Sequence, residues 1–146
     1  MPLTIEDSVR IGAPPEAIWR LLVDPNSWRY WWPNLRDVET ADRKPLREGS
    51  TLALGLQMGL LSITFHPRIE MLREGKALHW TVTRLGVTGR HAFYLEPRRG
   101  GTSVTRREQL SGPGLLFFRL LRMDHATAVM FRTSLRGLKK LAERGV

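Results

Sequence analysis

The chain has 146 residues and no cysteine, and it carries a formal net charge of +9 with 42% hydrophobic residues. This length suits one hydrophobic core, so we expect a single domain over residues 1–146. The lack of cysteine excludes disulfides, thiolate metal sites and cysteine nucleophiles. It is compatible with a reducing compartment, and we expect a cytoplasmic protein.

The N-terminal part predicts a strand followed by two short helices. Residues 3–11 alternate between apolar and polar side chains, which is typical of a half-buried strand. The period changes in 12-GAPPEAIWRLLVD-24, where the prolines and the apolar spacing predict a helix that ends near Pro25. A second short helix is predicted in 26-NSWRYWW-32, which ends at Pro33 and holds three tryptophans.

The middle of the chain predicts a meander of antiparallel strands. Segments of strand-like composition are separated by turn residues such as Met58-Gly59 and Gly100-Gly101. Together with the first strand they make a sheet of about seven strands. The segments are residues 36–41, 50–57, 60–72, 77–85, 88–96 and 102–110.

The C-terminal part predicts one long helix. From Phe117 to Ala142, apolar residues recur every three or four positions over close to thirty residues. Because strands and helices are segregated along the chain, the fold class is α+β. We expect a curved antiparallel sheet wrapped around the long helix, with a space between them wherever the facing side chains do not fill it.

Two segments resemble a known superfamily. The opening strand with 13-APPEAIWRLLVDPNSWRYWWPNL-35, and the turn and strand 99-RGGTSVTRRE-108, are similar to the START-like (SRPBCC) superfamily. That superfamily includes the Bet v 1-like proteins and the polyketide cyclase/dehydrase and lipid-transport proteins. The resemblance covers essentially the whole chain and implies the helix-grip fold. It implies function only as a class, because the superfamily uses one cavity for many purposes.

The resemblance also implies a place for the tryptophans of 28-WRYWW-32. In the superfamily this segment closes one end of the grip. Trp28 and one of Trp31 and Trp32 are then expected to pack against the long helix or the rim of the cavity. Such a group of tryptophans serves either as structural filling or as a ligand contact.

Strand parity predicts charged side chains on the face toward the helix. In residues 102–110, the face that carries Val104 and Leu110 also carries Arg106 and Glu108. Isolated charges would be costly there, so the two residues indicate either a site or a mutual ion pair at the open end of the sheet. A bulge near Arg106 would reverse the parity and expose both.

The same parity argument places Trp80 and His91 on the inner face and His79 toward solvent. The candidate catalytic residues are His91, Arg106, Glu108 and Asp124, because a histidine or a buried carboxylate can titrate near neutral pH. The candidate ligand-binding residues combine these groups with aromatic and apolar ones, which would also suit an ordinary core. They are Trp31, Leu54, Phe65, Trp80, His91, Phe93, Arg106, Glu108, Met123, Thr127, Met130 and Phe131.

These residues favour the binding or transport of a small hydrophobic or aromatic molecule, such as a lipid, a quinone or a polyketide-like compound, between sheet and helix. One alternative is an enzyme of the polyketide cyclase or dehydratase type that uses the same groups as acids and bases. Another is an accessory protein that binds an acidic partner through its basic surface.

Other partners and cofactors are judged from composition. We expect no metal and no cofactor, because the four histidines show no paired metal spacing. Nucleic-acid binding is disfavoured because the arginines are dispersed. The apolar segment 115-LLFFRLLRM-123, with its two arginines, suits transient contact with an anionic membrane surface or packing under the β-hairpins. No feature decides the oligomeric state.

Overall fold

The structure, a computed structural model that describes residues 2–40 and 45–144, contains eight strands and four helical segments in that part of the chain. The α+β class and the helix-grip fold are thereby confirmed. The described residues form eight strands, where about seven were predicted. The strands are β1 (Leu3–Ile11), β2 (Leu35–Thr40), β3 (Leu52–Met58), β4 (Leu61–Phe65), β5 (Arg68–Arg73), β6 (Ala77–Arg84), β7 (Val87–Arg98) and β8 (Gly101–Ser111). The helices are α1 (Pro15–Val23), a 3-10 helix (Pro25–Tyr30), α2 (Leu115–Leu120) and α3 (Met123–Glu143).

The strands form two antiparallel sheets joined at one corner. Five strands pair in the order β1-β8-β7-β6-β5, and three pair in the order β2-β3-β4. Thr51 and Arg68 form an isolated bridge between the two groups. The predicted segment 60–72 is therefore two strands, because Pro67 has no N–H for a ladder and the chain passes there from one sheet to the other.

The C-terminal segment was predicted to form one continuous helix of close to thirty residues, and this prediction is wrong. Arg122 adopts a left-handed backbone conformation (φ 59°) that separates the short α2 from the 21-residue α3. Phe117 and Leu121, which were predicted on the buried face, are 72% and 61% exposed. The apolar period continues through the break, so the pattern alone does not reveal it. Within the described residues, no helix is long and apolar enough to cross a bilayer.

The tryptophan segment lies in the core and contacts α3. Trp28, Trp31 and Trp32 are all buried, and the Trp28 Nε1–H donates to the carbonyl oxygen of Leu22 at 3.0 Å. The Trp31 and Trp32 rings stack with centroids 5.7 Å apart. The backbone of Trp31 lies directly against Gly137 of α3, where a Cβ atom would overlap the carbonyl oxygen of Trp31. At Gly137 the backbone of α3 is therefore in direct contact with the backbone of this segment, with no room for a side chain.

The far end of α3 is fixed to the end of β1 by polar contacts. The Lys139 ammonium donates to the carbonyl oxygen of Arg10 at 3.0 Å and to Glu143 Oε2 at 2.6 Å. Glu143 Oε2 also accepts from the backbone N–H of Gly12 at 2.7 Å. Together with the contact at Gly137, these bonds set the position of α3 against the sheet.

We expect the substitution Gly137→Ala to destabilise the fold by about 1–3 kcal/mol, because the added methyl overpacks the contact with Trp31. The usual effect in a helix interior is the opposite, since alanine is favoured over glycine by about 1 kcal/mol. Chemical denaturation of both proteins measures the difference. A G137A protein as stable as the parent, or more stable, would show that this close approach is not a constraint.

Candidate functional site

A cavity of about 180 Å³ lies between the sheet and α3. Its walls are mainly apolar side chains from β3, β4, β6, β7, α2 and α3, and its polar groups come chiefly from β7 and β8. The lining residues are Trp32, Leu54, Leu56, Met58, Leu61, Ile63, Phe65, Pro67, Trp80, Val82, Arg84, Leu85, Val87, Gly89, His91, Arg106, Glu108, Leu110, Gly114, Phe117, Phe118, Leu121, Met123, Thr127 and Met130.

Nine of the twelve residues predicted to bind a ligand line this cavity. They are Leu54, Phe65, Trp80, His91, Arg106, Glu108, Met123, Thr127 and Met130. Trp31, Phe93 and Phe131 are buried behind the wall. Asp124, a predicted catalytic candidate, lies half-buried in the first turn of α3 outside the lining, where its carboxylate accepts from the backbone N–H of His125.

Arg106 is the most unusual polar group of the site. Its side chain is 1% exposed, and it has inward parity on β8 as the sequence predicts. Its Nε–H donates to His91 Nε2 at 2.7 Å and its Nη1 donates to Ser134 Oγ of α3 at 2.8 Å. These two bonds join β8, β7 and α3 through one guanidinium.

Aromatic rings surround the same guanidinium. The Arg106 Cζ atom lies 4.1 Å from the ring centroid of Trp32, 4.7 Å from that of Phe131 and 4.9 Å from that of Phe93. The negative faces of such rings attract a cation, most strongly where water is excluded. Burial lowers the pKa of Arg106 to about 9, and nearby Glu108 opposes this shift, so the side chain remains cationic at neutral pH.

His91 is held as a neutral imidazole. It is 3% exposed, and its ring stacks on Trp80 with centroids 4.0 Å apart and an interplanar angle of 7°. Its pKa is well below the ordinary value, first because of burial and then because of the charge on Arg106. Since Nε2 accepts from Arg106, the ring proton is assigned to Nδ1.

Two buried donors of the cavity wall are unpaired. His91 Nδ1 and Trp32 Nε1 have no hydrogen-bond partner among the described residues, and both residues line the cavity. A buried donor without a partner costs about 1–3 kcal/mol. A small shift of either side chain that exposes its donor to the cavity would let a bound acceptor atom pair with it.

Glu108 places a titratable carboxyl group at the cavity. It is the cross-strand neighbour of His91 on β7 and of Ile5 on β1. Gly89 leaves room for it, because a Cβ there would lie 2.8 Å from Glu108 Oε1. Burial raises the pKa of Glu108 to about 7, and the positive charge of Arg106 only partly offsets this effect.

Arg106 and Glu108 do not form the mutual ion pair that was one of the alternatives from the sequence. The ion pairs among the described residues do not include these two side chains. Arg106 instead uses its donors on His91 and Ser134. The carboxyl group of Glu108 consequently stays available to the cavity.

Sequence reasoning missed Trp32 and the cavity mouth. The lining includes Trp32 rather than Trp31, and period alone does not separate adjacent residues at the end of a 3-10 helix. It also includes Leu61 and Leu85 next to turns, where no regular period exists. No three His, Asp or Glu side chains in residues 2–40 and 45–144 gather closely enough to hold a metal ion.

Comparison with known families agrees with this architecture. The family described as polyketide cyclase / dehydrase and lipid transport matches residues 2–143. The chain belongs to this family. Membership supports a ligand-binding or polyketide-processing role, since the family generally binds small hydrophobic ligands. No curated protein sequence matches the chain.

Solved structures show the same fold. A protein from Thermus thermophilus has a TM-score of 0.80 at 16% identity, with 98% of this chain and 99% of that one covered. A Nitrosomonas europaea protein has a TM-score of 0.75 at 19% identity, with 98% and 96% covered. The di-domain ARO/CYC protein StfQ from the steffimycin biosynthetic pathway has a TM-score of 0.81 at 14% identity, and this chain, fully covered, matches 53% of it. At such identities the likeness concerns the fold.

We expect Glu108→Gln to change the pH dependence of stability. The pKa of Glu108 is about 7 in the folded protein against an ordinary 4.5, so the stability linked to its proton is present at low pH and is lost as the pH rises through about 7. Relative to E108Q, the parent should lose up to about 3 kcal/mol between about pH 4 and pH 8. Chemical denaturation across this range measures it, and a difference that is independent of pH would contradict the assignment.

Proposed function

We propose that the protein binds a small, mainly apolar molecule that carries an acceptor oxygen at the end facing Arg106 and His91. The observation that supports this most directly is the apolar cavity whose inner wall holds buried polar groups with unused donors. A lipid, a quinone or a polyketide-like compound has this combination of an apolar body and oxygen atoms. Carriage of such a molecule is the function that the geometry supports best.

The binding energy would come mainly from apolar surface. Burial of such surface contributes about 25 cal/mol per Å², and the walls are largely leucine, methionine and aromatic side chains. Polar groups add selectivity, because a ligand without an acceptor leaves His91 Nδ1 and Trp32 Nε1 unpaired. The ligand oxygen would therefore lie at the inner end of the cavity.

The cavity volume limits what is fully enclosed. At about 180 Å³ it is slightly larger than the roughly 150 Å³ of an engineered cavity that binds benzene. One ring, or a chain segment of similar size, fits within it. The remainder of a larger ligand would extend toward the mouth, where Phe117 and Leu121 line the cavity and are themselves exposed.

We expect Val82→Phe to weaken binding of 2-naphthol at least about tenfold, because Val82 lines the cavity and the added ring occupies its volume. Thr83→Phe is the matched control, since the next residue of β6 has the opposite parity and is exposed. Titration calorimetry measures both. The parent should prefer 2-naphthol to 2-methylnaphthalene by about fivefold to tenfold, the value of one hydrogen bond.

Two results would contradict the carrier proposal. Equal loss of 2-naphthol binding in V82F and T83F would show that the effect is not located in the cavity. A parent protein that binds neither 2-naphthol nor 2-methylnaphthalene, and that gains no thermal stability from quinones or fatty acids, would show that the cavity does not take ligands of this class.

The second candidate function is an enzyme of the cyclase or dehydratase type, and the observation in its favour is the carboxyl group of Glu108. A carboxyl group with a pKa of about 7 inside an apolar cavity suits proton transfer at neutral pH. Arg106 and His91 would stabilise negative charge that develops on a carbonyl oxygen when a proton leaves the adjacent carbon. The same cavity would then hold a substrate with a β-dicarbonyl unit.

Exchange of the α-proton of 1-phenylbutane-1,3-dione with deuterated water tests this second candidate. We expect the protein-dependent exchange rate to rise as the pH increases through about 7, because the base must be deprotonated. E108Q should lose at least about a hundredfold of this rate while it still binds 2-naphthol. Glu70→Gln, at an exposed position of β5, is the control. No exchange above the protein-free rate would exclude this chemistry for the diketone.

A further inference from the structure

Exposed large apolar side chains are concentrated around the cavity mouth. Nine such side chains are exposed in residues 2–40 and 45–144, and all but Tyr30 and Val129 belong to this group. Single exposed apolar residues are ordinary, but a contiguous group marks an interaction surface. We name the group the mouth patch, which consists of Leu60, Leu61, Leu85, Leu116, Phe117, Leu120 and Leu121.

The mouth patch is assembled from three separate parts of the chain. Leu60 lies in the β3–β4 turn and Leu61 begins β4, whereas Leu85 lies in the β6–β7 turn. The remaining members belong to α2 and the residue after it. The β6–β7 turn contacts the start of α2, because the backbone N–H of Gly114 donates to the carbonyl oxygen of Gly86 at 2.9 Å. Leu61, Leu85, Phe117 and Leu121 all line the same cavity.

Two leucines occupy positions that polar residues or glycine normally fill. Leu60 is 100% exposed beside Gly59 in its turn. Leu85 is 86% exposed and has a left-handed backbone conformation (φ 50°), which is costly for a bulky residue. Both side chains therefore remain largely uncovered by the described residues. A partner that covers the turns would account for both.

The three chain segments that hold the mouth patch carry only basic charges. Residues 49–69, 77–95 and 109–123 contain the patch and include no aspartate and no glutamate. They contain five arginines, Arg68, Arg84, Arg90, Arg119 and Arg122, which supply five of the nine net positive charges. Arg119 and Arg122 are exposed within and after α2, next to the leucines. A surface that is apolar at its centre and carries Arg84, Arg119 and Arg122 beside its leucines complements an anionic lipid bilayer.

We propose that the mouth patch docks on the surface of an anionic bilayer. The leucines and Phe117 enter the boundary between headgroups and acyl chains, while Arg84, Arg119 and Arg122 contact lipid phosphates. Docking in this orientation directs the cavity mouth at the bilayer, so an apolar ligand can pass between the two without crossing water. The docking itself needs no cavity ligand and is tested separately from the carrier proposal.

Vesicle flotation tests the docking with lipid as the only partner. We expect the protein to float with vesicles of phosphatidylcholine and phosphatidylglycerol, to bind vesicles of phosphatidylcholine alone much more weakly, and to dissociate at high salt. Leu116→Ser with Leu120→Ser should lower the partition coefficient at least about tenfold. Arg119→Gln with Arg122→Gln should lower it roughly 25-fold, at about fivefold for each arginine.

Matched variants distinguish docking by this patch from general charge attraction. Arg132→Gln with Arg136→Gln removes the same charge from exposed positions of α3, and Tyr30→Ser removes an exposed apolar side chain elsewhere. We expect both to bind within about twofold of the parent. The cavity variant V82F should also float like the parent, which separates docking from ligand binding.

Three results would overturn the proposal. One is failure of the parent to float with either kind of vesicle. Another is an equal loss in R132Q/R136Q and R119Q/R122Q, which would show that net charge alone attracts the protein. The third result would show that a second copy of the chain, and not a bilayer, covers the mouth patch. A parent that sediments as a dimer, becomes monomeric in L116S/L120S and does not float would assign the patch to a protein interface.

Discussion

The arrangement depends on how a guanidinium is kept in a core without a carboxylate bonded to it. Arg106 donates to a neutral imidazole and a serine hydroxyl, and its charge lies against three aromatic rings. These five contacts come from three parts of the chain: β7, α3 and the segment after α1. The position of this one cation therefore requires that sheet, helix and tryptophan segment are already assembled.

The aromatic layer also decides what remains for a ligand. Trp80 stacks on His91, and Trp28 packs within 5.7 Å of Trp80, so the imidazole cannot turn its Nδ1 toward another protein acceptor without breaking the stack or the bond to Arg106. The three tryptophans differ in what they contact. Trp28 and Trp31 fill the core, whereas Trp32 contacts both the guanidinium and the cavity.

The sequence could predict the elements and the inner faces, because period and parity depend on local geometry. That argument is sufficient to place Trp80, His91, Arg106 and Glu108 on one face. It could not predict the break at Arg122, where the apolar period continues while the backbone changes hand. It also could not predict that Ser134 bonds to Arg106, since a serine in an apolar helix face carries no signal for a partner on a distant strand.

Cavity polarity and ligand binding are linked through Glu108. Its pKa is about 7 because burial disfavours the carboxylate more strongly than Arg106 favours it. An apolar ligand that replaces water beside this group would lower the local dielectric constant and so strengthen both effects, of which burial is already the larger. Binding of a neutral ligand would then draw a proton onto Glu108, whereas a ligand anion at Arg106 would compete with the carboxylate for the same cation. In either case the occupied cavity favours protonated Glu108, which is the state that donates a hydrogen bond to a ligand oxygen.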